Sequence, residues 1–357
     1  MTAAFFSPEG AYASNINDAS RISELKLLVA ALHAKGIGVI LDVVFNHTTN
    51  DAPFFKIAPD YYYRHWSIGG FSNGSGCGND FRTEAPMARR LVIDSLKYWM
   101  TEFGVDGFRF DLMGLLDADT MREAEYVLRQ INSSVLLYGE PWSANHSPMP
   151  PPANKDGIRG TGIAAFNDDY RNGLKGSPDG DHPGFIQRGW NSDSVRAGLG
   201  AYGWPEGPWQ TINYMTCHDN LVLFDKLKIS LPGATEESSL AAMKIGYLLL
   251  YTSQGVPFLH GGEEFARSKG GHHNSYNAPD VVNQVDWSLK AKHHDLFLYV
   301  RDLIALRKSH PIFRLRSRED VNRCLRIVET GNWRTLQYVL DATHLNPERW
   351  SRLSAWW

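Results

Sequence analysis

The chain has 357 residues, 43% of them hydrophobic, and its 36 Lys plus Arg against 39 Asp plus Glu leave a formal charge of -3. That is enough apolar material for one large core, and the near balance of charge excludes a basic nucleic-acid footprint and an acidic tail. No apolar stretch approaches the roughly 20 residues of a membrane span, and MTAAFFSPEG lacks the parts of a signal peptide, so a soluble protein is expected, with the cytoplasm favoured. Cys77, Cys217 and Cys324 are odd in number and widely spaced, which fits neither a disulfide framework nor a zinc site.

Along the chain, Ile22, Leu25, Leu28, Val29 and Leu32 place one apolar face on a helix, and GVILDVVF after it reads as a buried strand. The alternation continues. Pro86 opens a helix whose stripe is Ala88, Leu91, Val92, Ser95, Leu96 and Trp99, ahead of the strand GFRFD. A helix over Ala118–Ile131 leads into VLLYGE; GIAAFNDD, INYMT and VPFLHGGEE follow, the last two separated by a helix through SSLAAMKIGYLLLY. About six strands result, all expected to be parallel, whereas a closed α/β barrel has eight. The fold expected is therefore a (β/α)8 barrel of the TIM type that lacks two strands. SIGGFSNGSGCGND is glycine-rich but matches neither nucleotide fingerprint, so it reads as a long loop over the barrel mouth, not a phosphate cradle. CLRIVE and LQYVLD near the end read as strands of a small second domain, giving an expected division into a partial barrel, 1–313, and an incomplete C-terminal β domain, 314–357.

Three carboxylates close three of these strands: Asp111, Glu140 and Asp219. Strand ends are where a parallel barrel presents catalytic groups. Alternation puts Arg109 and Asp111 on one face, and a neighbouring guanidinium favours the ionised carboxylate that a nucleophile requires. Glu140 ends an apolar run, where desolvation would hold it protonated as a general acid. One carboxylate kept charged and one kept proton-bearing are the working parts of glycoside hydrolysis. His47 and His218 sit beside Asn46 and Asp219 as neutral donors for sugar hydroxyls, and Trp142 next to Glu140 is a candidate for stacking on a sugar ring. Asp42, inside an apolar run, needs a hydrogen-bonding partner.

DVVFNH, GFRFD, the glutamate of YGEPW and CHDN resemble, in that order, the four short motifs of the α-amylase clan, glycoside hydrolase family 13. SPEGAYASN, FSNGSGCGND, GFRFDLMGLLD, GTGIAAFNDDYR and HNSYNAPDVVNQVDW are most similar to the type I pullulanases of that clan, from about Phe6 to Phe313. The resemblance implies a retaining hydrolase of α-1,6 branch linkages in pullulan, limit dextrins, starch or glycogen. Asp111 would be the nucleophile and Glu140 the acid and then base, their carboxyl groups about 5 to 5.5 Å apart. Asp219 would stabilise the transition state; Arg109 would orient the nucleophile, and His47 and His218 would bind sugar hydroxyls. It implies no organic cofactor, calcium only by family analogy, a glucan partner, and loss of the preceding domains, of the first two barrel strands and of most of the C-terminal sandwich. An isoamylase-type debranching enzyme and an inactive, truncated remnant that only binds glucan are the alternatives.

Overall fold

The computed structural model describes residues 2–343 and, as backbone, the strand Arg352–Trp356. The remainder of the expected C-terminal domain, 344–351 and 357, lies outside the described residues. The chain divides into two compact units, Met1–Ala165 and Phe166–Trp357.

The first unit alternates helix and strand: α1 (Ser20–His33), β1 (Ile40–Val43), α2 (Pro86–Phe103), β2 (Gly107–Phe110), α3 (Ala118–Ile131), β3 (Leu136–Gly139) and β4 (Ala164–Phe166), whose last residue opens the second unit. Strands β1 to β4 pair in chain order and in parallel, with Val43 opposite Phe110, Phe110 opposite Gly139 and Gly139 opposite Ala165. Parallel neighbours require a crossover between them, which α2 and α3 provide for the first two pairs. Pro86 sits in the first turn of α2, where its missing N–H costs nothing, and the helix ends on Gly104, whose φ of 71° is left-handed. Of the stripe expected from the sequence, Ala88, Val92, Ser95, Leu96 and Trp99 are buried along α2 and Leu91 is half-buried. Asp117 caps α3 by accepting the Thr120 N–H at 2.9 Å. All four residues of β2 are buried, as in a parallel strand covered on both faces.

β1 is different, because among the described residues β2 is its one partner and its other edge is open. Helix α1 beside it buries only Val29, leaving Ile22 and Leu28 exposed, so the expected inward face of this helix does not face a core. Leu25, Leu28, Leu41, Val43, Phe45 and Trp99 instead line a groove of ≈ 850 Å³.

The second unit contains α4 (Asp168–Lys175), α5 (Ser192–Leu199), β5 (Thr211–Asn213), α6 (Leu223–Ser230), α7 (Glu236–Thr252), β6 (Val256–Pro257) and α8 (His294–Ser309). β5 and β6 pair in parallel, Ile212 opposite Val256. Tyr170, Leu223, Met243, Tyr247, Leu250, Leu296 and Val300 are buried together in its core. A separate antiparallel sheet follows, formed by β7 (Leu325–Val328), β8 (Gln337–Asp341) and β9 (Arg352–Trp356). No helix among the described residues is long and apolar enough to cross a membrane.

Candidate active site

Asp111 and Glu140 are the first residues beyond β2 and β3, and the parallel ladder continues through both. The Asp111 N–H donates to the Val43 carbonyl at 3.0 Å, and the Glu140 N–H to that of Phe110 at 3.1 Å. Register therefore puts the two carboxylates at adjacent strand ends. The strands approach closely here: a Cβ on Gly139 would stand 2.6 Å from the Phe110 carbonyl oxygen. Beyond Asp111 the chain turns through Leu112, whose φ of 38° is left-handed, a conformation that costs a branched residue about 1–3 kcal/mol. That turn aims the Leu112 N–H at Glu140 Oε2, 2.9 Å away.

One guanidinium holds the site together. Arg109 Nη1 contacts Asp42 Oδ1 at 2.7 Å and Asp111 Oδ1 at 2.9 Å, while Nη2 contacts Glu140 Oε1 at 2.5 Å. The side chains of Arg109 and Glu140 are only 7% and 4% exposed; those of Asp111 and Asp42 are 23% and 48% exposed. Burial opposes the charge on Arg109, but Glu140, Asp42 and Asp111 outweigh it and hold the group above its ordinary pKa. Asp42, at an open sheet edge, thus has the partner that its apolar run called for. Glu140 is buried as expected, yet burial is not the whole of its environment: an arginine and a backbone N–H both favour its charged form. A proton delivered from Glu140 would leave behind a carboxylate already provided with two donors.

Asn46 and His47 extend the site beyond β1. Asn46 Nδ2 donates to Asp111 Oδ2 and to the Asp111 carbonyl, each at 2.9 Å, which fixes the amide orientation from its acceptors. Its Oδ1 must then accept from His47 Nδ1, 2.6 Å away, so the His47 proton sits on Nδ1 and Nε2 is left with a lone pair, an acceptor where the sequence led us to expect a donor. Burial lowers the His47 pKa, against the opposing fields of Asp111 and Asp80, which favours this neutral tautomer. The glycine-rich loop also has a clear physical role. Its backbone N–H groups at Gly74 and Ser75 converge on an anion, but the anion is Asp80, fully buried, which also accepts from Ser72 and Ser147 at 2.7 Å. No phosphate is needed to satisfy them.

In the second unit, His218 and Asp219 lie beyond β5, about half exposed, with His218 Nε2 3.5 Å from Asp219 Oδ2. Trp142 follows Glu140 closely, and its backbone packs on Gly114, where a Cβ would stand 2.6 Å from the Trp142 carbonyl. The first unit thus brings together Arg109, Asp111, Glu140 and His47, and the second holds His218 and Asp219. Among the described residues no group of three or more His, Cys, Asp or Glu is arranged to hold a metal ion. Sequence reasoning missed Asn46 and the Leu112 N–H. The first stood in the quoted motif beside His47; the second is a backbone group with no sequence signal.

No family model matches the chain. The pullulanase of Bacillus subtilis (strain 168) is 41% identical over 346 residues, covering 91% of this chain and 48% of that protein. The solved pullulanase from Bacillus acidopullulyticus superposes with a TM-score of 0.94 at 43% identity, over 98% of this chain and 44% of that one. The pullulanase from Paenibacillus barengoltzii, solved in complex with maltohexaose and alpha-cyclodextrin, gives a TM-score of 0.93 at 38% identity, over 98% of this chain and 57% of that one. These likenesses place the chain, an α/β protein, in the α-amylase clan. Within that clan the chain is of pullulanase type. It spans about half the length of these relatives.

Proposed function

We propose that this chain carries the catalytic carboxylates of an α-1,6-glucan hydrolase of the debranching kind, acting on pullulan, limit dextrins, starch or glycogen by double displacement. The observation that carries the reading is the shared Arg109: one planar fork gripping both Asp111 and Glu140 keeps the two acids convergent. Asp111, partly exposed and hydrogen-bonded by Asn46, attacks the anomeric carbon. Glu140 gives its proton to the departing oxygen and then takes one from the incoming water. Asp219 supports the transition state, while Arg109 orients Asp111. His47, His218 and Trp142 contact the sugar, and the Nε2 lone pair of His47 offers an acceptor to a hydroxyl. The maltohexaose and alpha-cyclodextrin of the Paenibacillus barengoltzii complex support a glucan as substrate. A (β/α)8 barrel without its first two strands belongs to the same reading, supported by the open edge of β1 and the exposed apolar residues of α1. Every step uses protein groups alone, and no cofactor enters.

Proton NMR of a pullulan digest tests the reaction class. Reducing ends of α configuration are expected first, with the β anomer growing in only as the sugar mutarotates. A β anomer at the earliest times, or no reducing ends at all, would contradict the reading.

A further inference from the structure

The turn 217–221, which carries His218 and Asp219, is held from outside by side chains that have no part in the chemistry above, two of them buried lysines. Lys269 Nζ donates to the His218 carbonyl at 2.8 Å and to Ser275 Oγ at 2.8 Å. Lys269 is only 4% exposed, and both of these partners are neutral. Withdrawing an ammonium from water onto neutral acceptors is unfavourable, so the group must be held where it is by what surrounds it. Burial lowers its pKa, and Arg267 adds to this, against opposing fields from Asp219, Glu263 and Cys217.

The backbone around Lys269 is equally fixed. Asp225, 4% exposed on α6, accepts from the Lys269 N–H at 2.8 Å, the Gly271 N–H at 3.0 Å and Ser268 Oγ at 2.6 Å. Across the loop, Asn283 Nδ2 donates to the carbonyls of Ser275 at 2.7 Å and Ala278 at 3.1 Å. Lys269 is therefore a peg set in a rigid socket, joining the loop 270–278 to the turn beside Asp219. Other ties reach the far side of the turn: Lys175 Nζ donates to the Leu221 carbonyl at 3.3 Å, and Asp179 accepts from Asn220 Nδ2 at 2.8 Å. The Asp179 tie ends on the Asn220 side chain, whereas the Lys269 tie ends on the carbonyl of the peptide bond that leads into Asp219.

We propose that Lys269 is a positioning residue for Asp219, its ammonium fixing the His218–Asp219 peptide against loop 270–278. The proposal rests on the reading of Asp219 as the carboxylate that supports the transition state. A misplacement there weakens the transition state more than the ground state, so the loss falls on kcat and leaves KM nearly unchanged.

The test compares Lys269→Met, which keeps the volume but removes the donor, with Lys269→Arg, which keeps charge and donors. On pullulan, Lys269→Met should lose on the order of 10- to 100-fold in kcat, with KM little altered, and Lys269→Arg should recover part of the loss. Hydrogen exchange of amides in 217–221 should quicken on the order of tenfold in Lys269→Met while α7 stays protected. If kcat and exchange both stay at wild-type values, the proposal is overturned. Should Lys269→Met fail to fold, Ser275→Ala, which removes one partner, must show the same quickened exchange, and unchanged exchange there overturns the proposal. If the wild-type chain releases no reducing ends, the reading of function falls by itself. Exchange then decides on Lys269 alone, quickened amides supporting its role and unchanged amides refuting it.

Discussion

Arg109→Met should cost the fold about 3–5 kcal/mol at neutral pH, read as a fall in the urea midpoint, and should abolish hydrolysis. The cost comes from what is left behind. Arg109 is the shared cation of Asp42, Asp111 and Glu140, and Glu140 is nearly fully buried. Removing the guanidinium takes the counter-charge from a buried carboxylate and leaves the charges of Asp42 and Asp111 uncompensated beside it. Protonating those acids relieves the repulsion, and the folded mutant gains more from this than the unfolded chain does. The mutant's deficit should therefore be largest near neutral pH and shrink as the pH falls. Arg109→Lys should recover only part of the stability, because a single ammonium cannot present two nitrogens to acids on three strands. A midpoint for Arg109→Met equal to that of the wild type would show that the guanidinium does not organise the site.

Glu140→Gln should destabilise the fold by only about 1–3 kcal/mol, since Arg109 keeps two charged partners and the amide oxygen still accepts from one of the two donors, although the NH2 then faces the other. Its effect belongs to the chemistry. Turnover of pullulan should fall by roughly 10²–10⁴, the usual contribution of a positioned acid and base. An α-glucosyl fluoride needs no proton on its leaving group, so fluoride release in the first turnover should run near the wild-type rate. Water then lacks a base, and azide, which needs none, should speed the second step and emerge as the α-glucosyl azide. Equal losses on pullulan and on the fluoride, with no effect of azide, would remove Glu140 from the role of proton donor.

Helices α2 and α3 were legible in the sequence because their signals are local, such as a proline at the start and a stripe at helical spacing in α2. The pairing of Arg109 with Asp111 was legible for the same reason, since alternation along one strand decides it. Contact between Arg109 and Glu140 was not, because it depends on the register of β2 against β3, in which Phe110 stands opposite Gly139. Helix α4 escaped notice because DDYRNGLK is mostly polar and buries only one flank, although Asn167 caps it by accepting the Tyr170 N–H at 3.1 Å, and an Asn-Asp-Asp run after a strand could have announced it. Helix α1 misled in the opposite direction. Its apolar spacing is genuine, but spacing says which face is apolar and not whether anything covers it. The glycine-rich loop shows the same limit: its glycines were visible as a pattern, and only the structure shows its amides converging on Asp80.

The most direct measurement is to trap the glycosyl-enzyme with a fluorinated α-glucosyl fluoride, whose ester forms faster than it hydrolyses, and to map the added mass after digestion. The expected result is one sugar on the peptide containing GFRFDLMG, carried by Asp111. A label on any other carboxylate, or continued turnover with no label, would contradict the assignment of Asp111 as the attacking group.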